Sequence, residues 1–236
     1  MLSARGVRFE HHDLFVDADA VEFLRANEIR TVPVIRAGDE IIIGFDEARL
    51  EQVLGLVEIS DALDSEWLAS KYELVLGALG RAVRQVDPTV LDVQFEERRM
   101  SVRSHILHIA AFAEGGFAAH ERGKFDTDDM FAVTARANRI VDVDSVYSYV
   151  IKVRDDITTF LRSGAGESYD RVVSSHYGGQ VSVIELLRIM LRHSTHHLRQ
   201  FYWFMENVLL VEPTGALVEE DLAGIVTPDE LFDTGA

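Results

Sequence analysis

The chain has 236 residues, of which 47% are apolar, so it is long enough for one large domain or two modest ones with a real core. Its formal net charge of −17 repels phosphate backbones and anionic lipid surfaces, so neither nucleic acid nor a membrane is expected as a partner. It has no cysteine, which excludes disulfides, thiolate metal ligands and thiol nucleophiles of its own.

No stretch approaches the roughly 18 uncharged apolar residues of a bilayer span, and no secretory signal opens the sequence, so a cytoplasmic location is expected. Residues 1–57 read as a small α/β segment. Residues 7–15 have strand character, residues 18–26 have helical spacing with Val21 and Leu24 on one face, and residues 31–36 form a short β-branched run. Gly38-Asp39 then marks a turn, residues 41–43 a second apolar run, and residues 46–54 a short helix with Leu50, Val53 and Leu54 apolar. This order predicts a hairpin followed by a helix.

An acidic stretch over residues 58–66 separates this segment from one dominated by a period of 3.6. Helices are predicted over residues 65–85, 101–121, 145–162 and 182–210, each opening at a serine suited to capping. Without strand signals between them, the expectation for residues 65–210 is a four-helix bundle, with a further turn of helix in the connection over residues 123–144. Residues 211–236 carry several acidic residues and neither lysine nor arginine beyond Pro213, and are expected to form a loosely packed acidic tail.

Within the last helix, steps of three and four place Leu186, Met190, His193, His197, Phe201, Phe204 and Val208 on one face. His193 and His197 therefore lie one turn apart on the apolar stripe, near enough to converge on one ion, whereas His196 turns toward Arg192 and Arg199. A third donor should come from a neighbouring helix, where His105 and His108 are three apart. Buried uncompensated imidazoles would cost on the order of a few kcal/mol, and a metal compensates directly. Three imidazoles with positions left open suit zinc, nickel or iron(II), and the absence of both cysteine and a His-Glu-x-x-His pattern argues against a structural thiolate site or a zincin peptidase. Of the other histidines, His11 and His12 read as a surface pair, His120 and His176 fall near predicted loops, and Phe201, Tyr202 and Trp203 read as core packing.

His193-Ser194-Thr195-His196-His197-Leu198-Arg199-Gln200 resembles the last-helix motif of the DinB-like superfamily, with Leu-Arg-Gln where Arg-Gly-Gln is common, and Ser101 to His108 is similar to the register of its second helix. The resemblance covers most of residues 65–210 and implies a metal-binding four-helix bundle. It carries the third ligand to His108, giving His108, His193 and His197, with His105 and His196 as substitutes. It also implies a metal-dependent transferase or isomerase that activates a low-molecular-weight thiol against a small electrophile. A divalent ion with an open position lowers a thiol pKa and delivers a thiolate at neutral pH.

Earlier in the chain, Thr31-Val32-Pro33, the Gly38-Asp39 turn and Gly44-Phe45-Asp46 resemble, in order, the second half of a glutaredoxin-like protein of thioredoxin fold. By that resemblance Thr31, Val32, Pro33 and Asp46 would line a thiol-peptide groove. The first strand and the Cys-x-x-Cys pair of that family have no counterpart, so the segment is expected to be redox-inactive. Met1 to Gly6 resembles the end of the family's first helix, which implies a longer natural protein with the cysteines upstream. An incomplete sheet would leave an edge open to homodimerisation. Two functions stay open at this point: a metal-dependent thiol transferase or isomerase, and a non-catalytic metal-binding or interaction module of a stress or redox protein.

Overall fold

The structure is a computed structural model and describes residues 7–14, 16–27, 29, 34–38, 40–43, 47–54, 65–164, 166–175, 179–228 and 230–232. In the first segment helix α1 spans Ala18–Ala26, strands β1 (Val34–Ala37) and β2 (Glu40–Ile43) pair antiparallel, and helix α2 spans Glu47–Leu54. The Asp17 side chain caps α1, and Gly38 supplies the left-handed φ of +64° that the turn between the strands requires. Residues 7–14 form no strand. The Asp13 carbonyl instead accepts from the Val16 and Asp17 amides, and His12 Nδ1 bonds Asp17 Oδ2 at 2.7 Å, so local polar contacts take up groups that a strand would need a partner for. Among the described residues this segment holds one two-stranded sheet and two helices, including the predicted hairpin followed by a helix. Thr31, Val32, Pro33 and Asp46 lie outside the described residues.

From Ser65 onward the chain is mostly helical. Helix α3 is Ser65–Val83, and a two-residue pairing of β3 (Gln94–Phe95) with β4 (Met100–Ser101) leads into α4 (Val102–Arg122). Strand β5 (Lys124–Phe125) and helix α5 (Thr127–Ala137) follow, then α6 (Val143–Arg162), the short α7 (Gly166–Tyr169), strands β6 (Val172–Ser175) and β7 (Gly179–Ser182), and α8 (Val183–Asn207). Ser101 and Ser182 cap α4 and α8 as the sequence predicts, but α6 starts earlier than expected, because Asp142 accepts from the Ser145 amide and takes the capping role. The connection expected to hold one turn contains the 11-residue α5, closed by a capping box between Asp126 and Asp129.

Strands do intervene between the helices, contrary to expectation. β6 pairs parallel with β5 and antiparallel with β7. Gly123, left-handed at φ 77°, ends α4 and turns the chain into β5, while β7 runs into the Ser182 cap. The small sheet therefore ties the end of α4 to the start of α8.

α3 packs chiefly on α6 and α4 on α8, around a core that includes Leu76, Leu79, Ile106, Ile109, Val150, Ile157, Leu186, Met190, Phe201 and Phe204. The fully buried Tyr72 hydroxyl donates to the Leu187 carbonyl at 2.6 Å and joins α3 to α8. Val208 is 45% exposed and does not continue the apolar stripe, since α8 ends at Asn207.

The described residues beyond Leu210 are not loose. Lys71 Nζ donates to the Asp221 carbonyl at 2.6 Å, Gln85 exchanges hydrogen bonds with Thr214, and Leu217, Ile225 and Phe232 pack on the core. The acidic composition of this segment hid these apolar anchors, and its carbonyls meet Lys71 and Arg81 of α3 and Gln85 just beyond that helix. Among the described residues no helix is long and apolar enough to cross a membrane.

Candidate metal centre

α4 and α8 lie side by side in antiparallel sense, with His105 opposite His197 and Ile109 opposite Ser194. His105 Nε2 donates to the His197 carbonyl at 3.0 Å, and Ser194 Oγ donates to the Ile109 carbonyl at 3.1 Å. Two turns along α4 from His108, Gly116 lets Met190 approach so closely that a Cβ there would stand 2.4 Å from Met190 Cγ. Hydrogen bonds on one side and glycine on the other thus fix the spacing of the two helices where the histidines meet.

Nitrogen atoms of His108, His193 and His197 lie within 4.8 Å of one another. His193 and His197, one turn apart on α8, point Nε2 at Nε2 across 3.1 Å. The His108 ring centroid lies 4.9 Å from that of His193 and 5.0 Å from that of His197. His193 stacks on Phe112 with ring centroids 4.4 Å apart and planes 8° from parallel, which fixes its plane.

Burial keeps these rings neutral. It pushes His108 down to about 4, with the Arg98 charge acting in the same direction, and His197 down to about 2, aided by the neighbouring His108 and Arg98 charges. His193 is held well below its ordinary value, by burial first and by His197 and His108 next. A neutral imidazole keeps one lone pair, the form in which histidine binds metal.

Tetrahedral nitrogen ligands about 2.0–2.1 Å from zinc stand roughly 3.3 Å apart, so the His193–His197 separation of 3.1 Å fits a shared ion. The donor chemistry also fits. Gln200 Oε1 faces His197 Nδ1 at 2.6 Å and accepts its proton, leaving His197 Nε2 bare toward the other two rings.

The two substitute ligands are not brought into this group. His105 is fully buried and uses Nε2 on the His197 carbonyl, and burial pushes its pKa down to about 3. His196 Nε2 accepts from Gln200 Nε2 at 3.1 Å. His11 and His12 are exposed at the other end of the sequence. His120 lies in the last turn of α4, near the loop as expected, donating from Nδ1 to the Phe117 carbonyl at 2.6 Å, and His176 lies outside the described residues. Phe201 is core, with Tyr202 and Trp203 packed against it, as expected.

Sequence reasoning assigned no role to Gln200 or Arg98. Gln200 had a signal, since it follows His197 by three on the same helix and shares its face. Arg98, carried by the turn between β3 and β4, had none, because only the fold brings it near the rings.

The profile of the DinB superfamily matches residues 71–201, more than half of the chain and all three converging histidines. No curated protein and no solved structure matches the sequence.

Proposed function

The chain belongs to the DinB superfamily, and on that premise we propose that His108, His193 and His197 hold one divalent metal ion at the junction of α4 and α8. The observation that carries the proposal is the convergence of three neutral imidazoles, with the bare Nε2 of His197 facing His193 Nε2 at 3.1 Å. Zinc, nickel and iron(II) are the ions this donor set suits. The surrounding helices would then be a four-helix bundle built to bring α4 and α8 together.

We further propose that the site serves a metal-dependent transferase or isomerase using a low-molecular-weight thiol. Three protein donors leave a position open, and there the ion, when bound, lowers the pKa of a thiol. Because these 236 residues include no cysteine, a thiolate at that position would come from outside them. The chain's own part is to hold the three imidazoles on α4 and α8 so that they converge on the ion.

The test is elemental mass spectrometry on untagged protein, with His108→Ala, His193→Ala and His197→Ala prepared in parallel. Near-stoichiometric zinc, nickel or iron in the parent and its loss in each variant is the expected result. A parent that is metal-free as purified and takes up no added ion sinks the proposal. With metal established, conjugation of an electrophile in the presence of small cellular thiols decides between a transferase and a non-catalytic module.

A further inference from the structure

Gln200 is 2% exposed, and each polar direction of its amide is used. Nε2 donates to the Leu231 carbonyl and to His196 Nε2, and Oε1 faces His197 Nδ1 at 2.6 Å. A backbone carbonyl can only accept a hydrogen bond, so Leu231 dictates which end of the amide is nitrogen. The oxygen must then face His197, the His197 proton must sit on Nδ1, and the lone pair must sit on Nε2. His196 is removed from competition by the same amide, since its Nε2 lone pair is occupied.

Leu231 is held in place by its neighbours. The Phe232 ring packs edge-on against Trp203 with centroids 5.0 Å apart and against Phe95 at 6.0 Å. Arg199 Nη1 donates to Thr227 Oγ1 at 2.7 Å and to the Pro228 carbonyl at 2.8 Å. A stretch of chain thirty-one residues beyond Gln200 therefore fixes the orientation of a side chain inside α8.

We infer that Gln200 is a positioning residue for the metal centre, and that the strand of chain around Leu231 and Phe232 is part of the site because it locks the Gln200 amide and, through it, the His197 tautomer. This rests on the metal reading above, yet it makes a claim about the metal-free protein that stands separately. In the metal-free chain His197 carries its proton on Nδ1, and His193, facing a bare Nε2, carries its proton on Nε2 and donates it to His197. His197 is thus preset for a metal, while His193 must move its proton to Nδ1, a buried atom without a partner, when an ion enters.

The experiment uses full-length protein labelled with nitrogen-15 in histidine. Long-range proton–nitrogen correlation spectra of the metal-free chain report the tautomer of each ring, and competition with a chelator gives zinc affinity. The parent should show His197 as the Nδ1–H form. Phe232→Ala, which frees Leu231, should mix the His197 tautomers and weaken zinc binding by about 10- to 100-fold. Adding Gln200→Glu to that variant should restore both, because a carboxylate accepts from Nδ1–H whichever way it is turned. Gln200→Leu in the otherwise unchanged chain should lose both, and it keeps the test alive if Phe232→Ala does not fold. An Nε2–H tautomer for His197 in the parent, or an unaltered tautomer and affinity in Gln200→Leu, overturns the inference. A parent with the expected tautomer but no affinity for zinc would overturn the metal reading and leave the positioning of His197 intact.

Discussion

Acid should destabilise the metal-free protein before its carboxylates titrate. His105 and His197 are 0% and 7% exposed, and burial lowers their native pKa values to about 3 and about 2. In the unfolded chain both return to about 6.5, so between those limits the unfolded state binds more protons than the native state. Stability from these rings is complete above the unfolded value and is lost as the pH falls through it. Lowering the pH from about 7.5 to about 5 costs roughly 2 kcal/mol per ring, hence about 4 kcal/mol for the pair, a large share of a typical 5–15 kcal/mol. The two contributions add, because the difference arises in the unfolded chain, where the rings titrate independently. His108 and His193, whose native pKa values burial also lowers, act in the same direction. Urea titrations by circular dichroism in chelator, at a series of pH values, should show the free energy falling by nearly 1.4 kcal/mol per pH unit per ring near about pH 5. His105→Leu should remove one ring's share of that slope. The capping carboxylates of Asp126 and Asp142, whose native pKa values are lowered, lose their contribution only as the pH falls from the ordinary carboxylate value of about 4 downward, below most of this window. A slope worth less than one proton between about pH 6.5 and 5 would refute the reasoning.

Two core variants probe the frame around the site. Tyr72→Phe removes a buried donor to the Leu187 carbonyl and should cost about 1 kcal/mol, seen as a lower urea midpoint with an unchanged m value. Gly116→Val would drive a Cβ into Met190 Cγ, 2.4 Å away, so the α4–α8 spacing must widen; a loss of about 1–3 kcal/mol in urea unfolding is expected, together with weaker zinc uptake.

Where local chemistry decides, the sequence is a good guide to this molecule. The serine caps of α4 and α8, the span of α1 and the Gly38 turn all follow from side-chain contacts a few residues away. The register of His193 and His197 follows from helical spacing alone, and the convergence of His108 on them accords with the family pattern. The failures have a common cause. Strands of two to four residues, such as β5 to β7, are too short to show a period, and they exist because each finds a partner far along the chain. The capping box of α5, Asp126 and Asp129, is present in the sequence, but the helix it opens is short and has only two buried residues, Val133 and Ala137, to mark it. Residues 7–14 show the reverse case, an apolar alternation that finds no partner strand. The Gln200 contact with Leu231 lies beyond any local rule, since composition marks residues 211–236 only as acidic.

The placement of one ligand on α4 and two on α8 also governs when an ion can be captured. His108 and His193 are 85 positions apart in the chain, and closing a loop of that length costs an unfolded chain about 4 kcal/mol beyond the fixed cost of closure. Before α4 and α8 dock, His193 and His197 are the only two of the three ligands near one another, and they make a poor site. The full donor set appears only with the native helix pair, so an ion discriminates strongly between folded and unfolded chains. If the pair docks after the rate-limiting step, zinc leaves the refolding rate as it is and slows unfolding, extending the lifetime of the folded chain without hastening its formation.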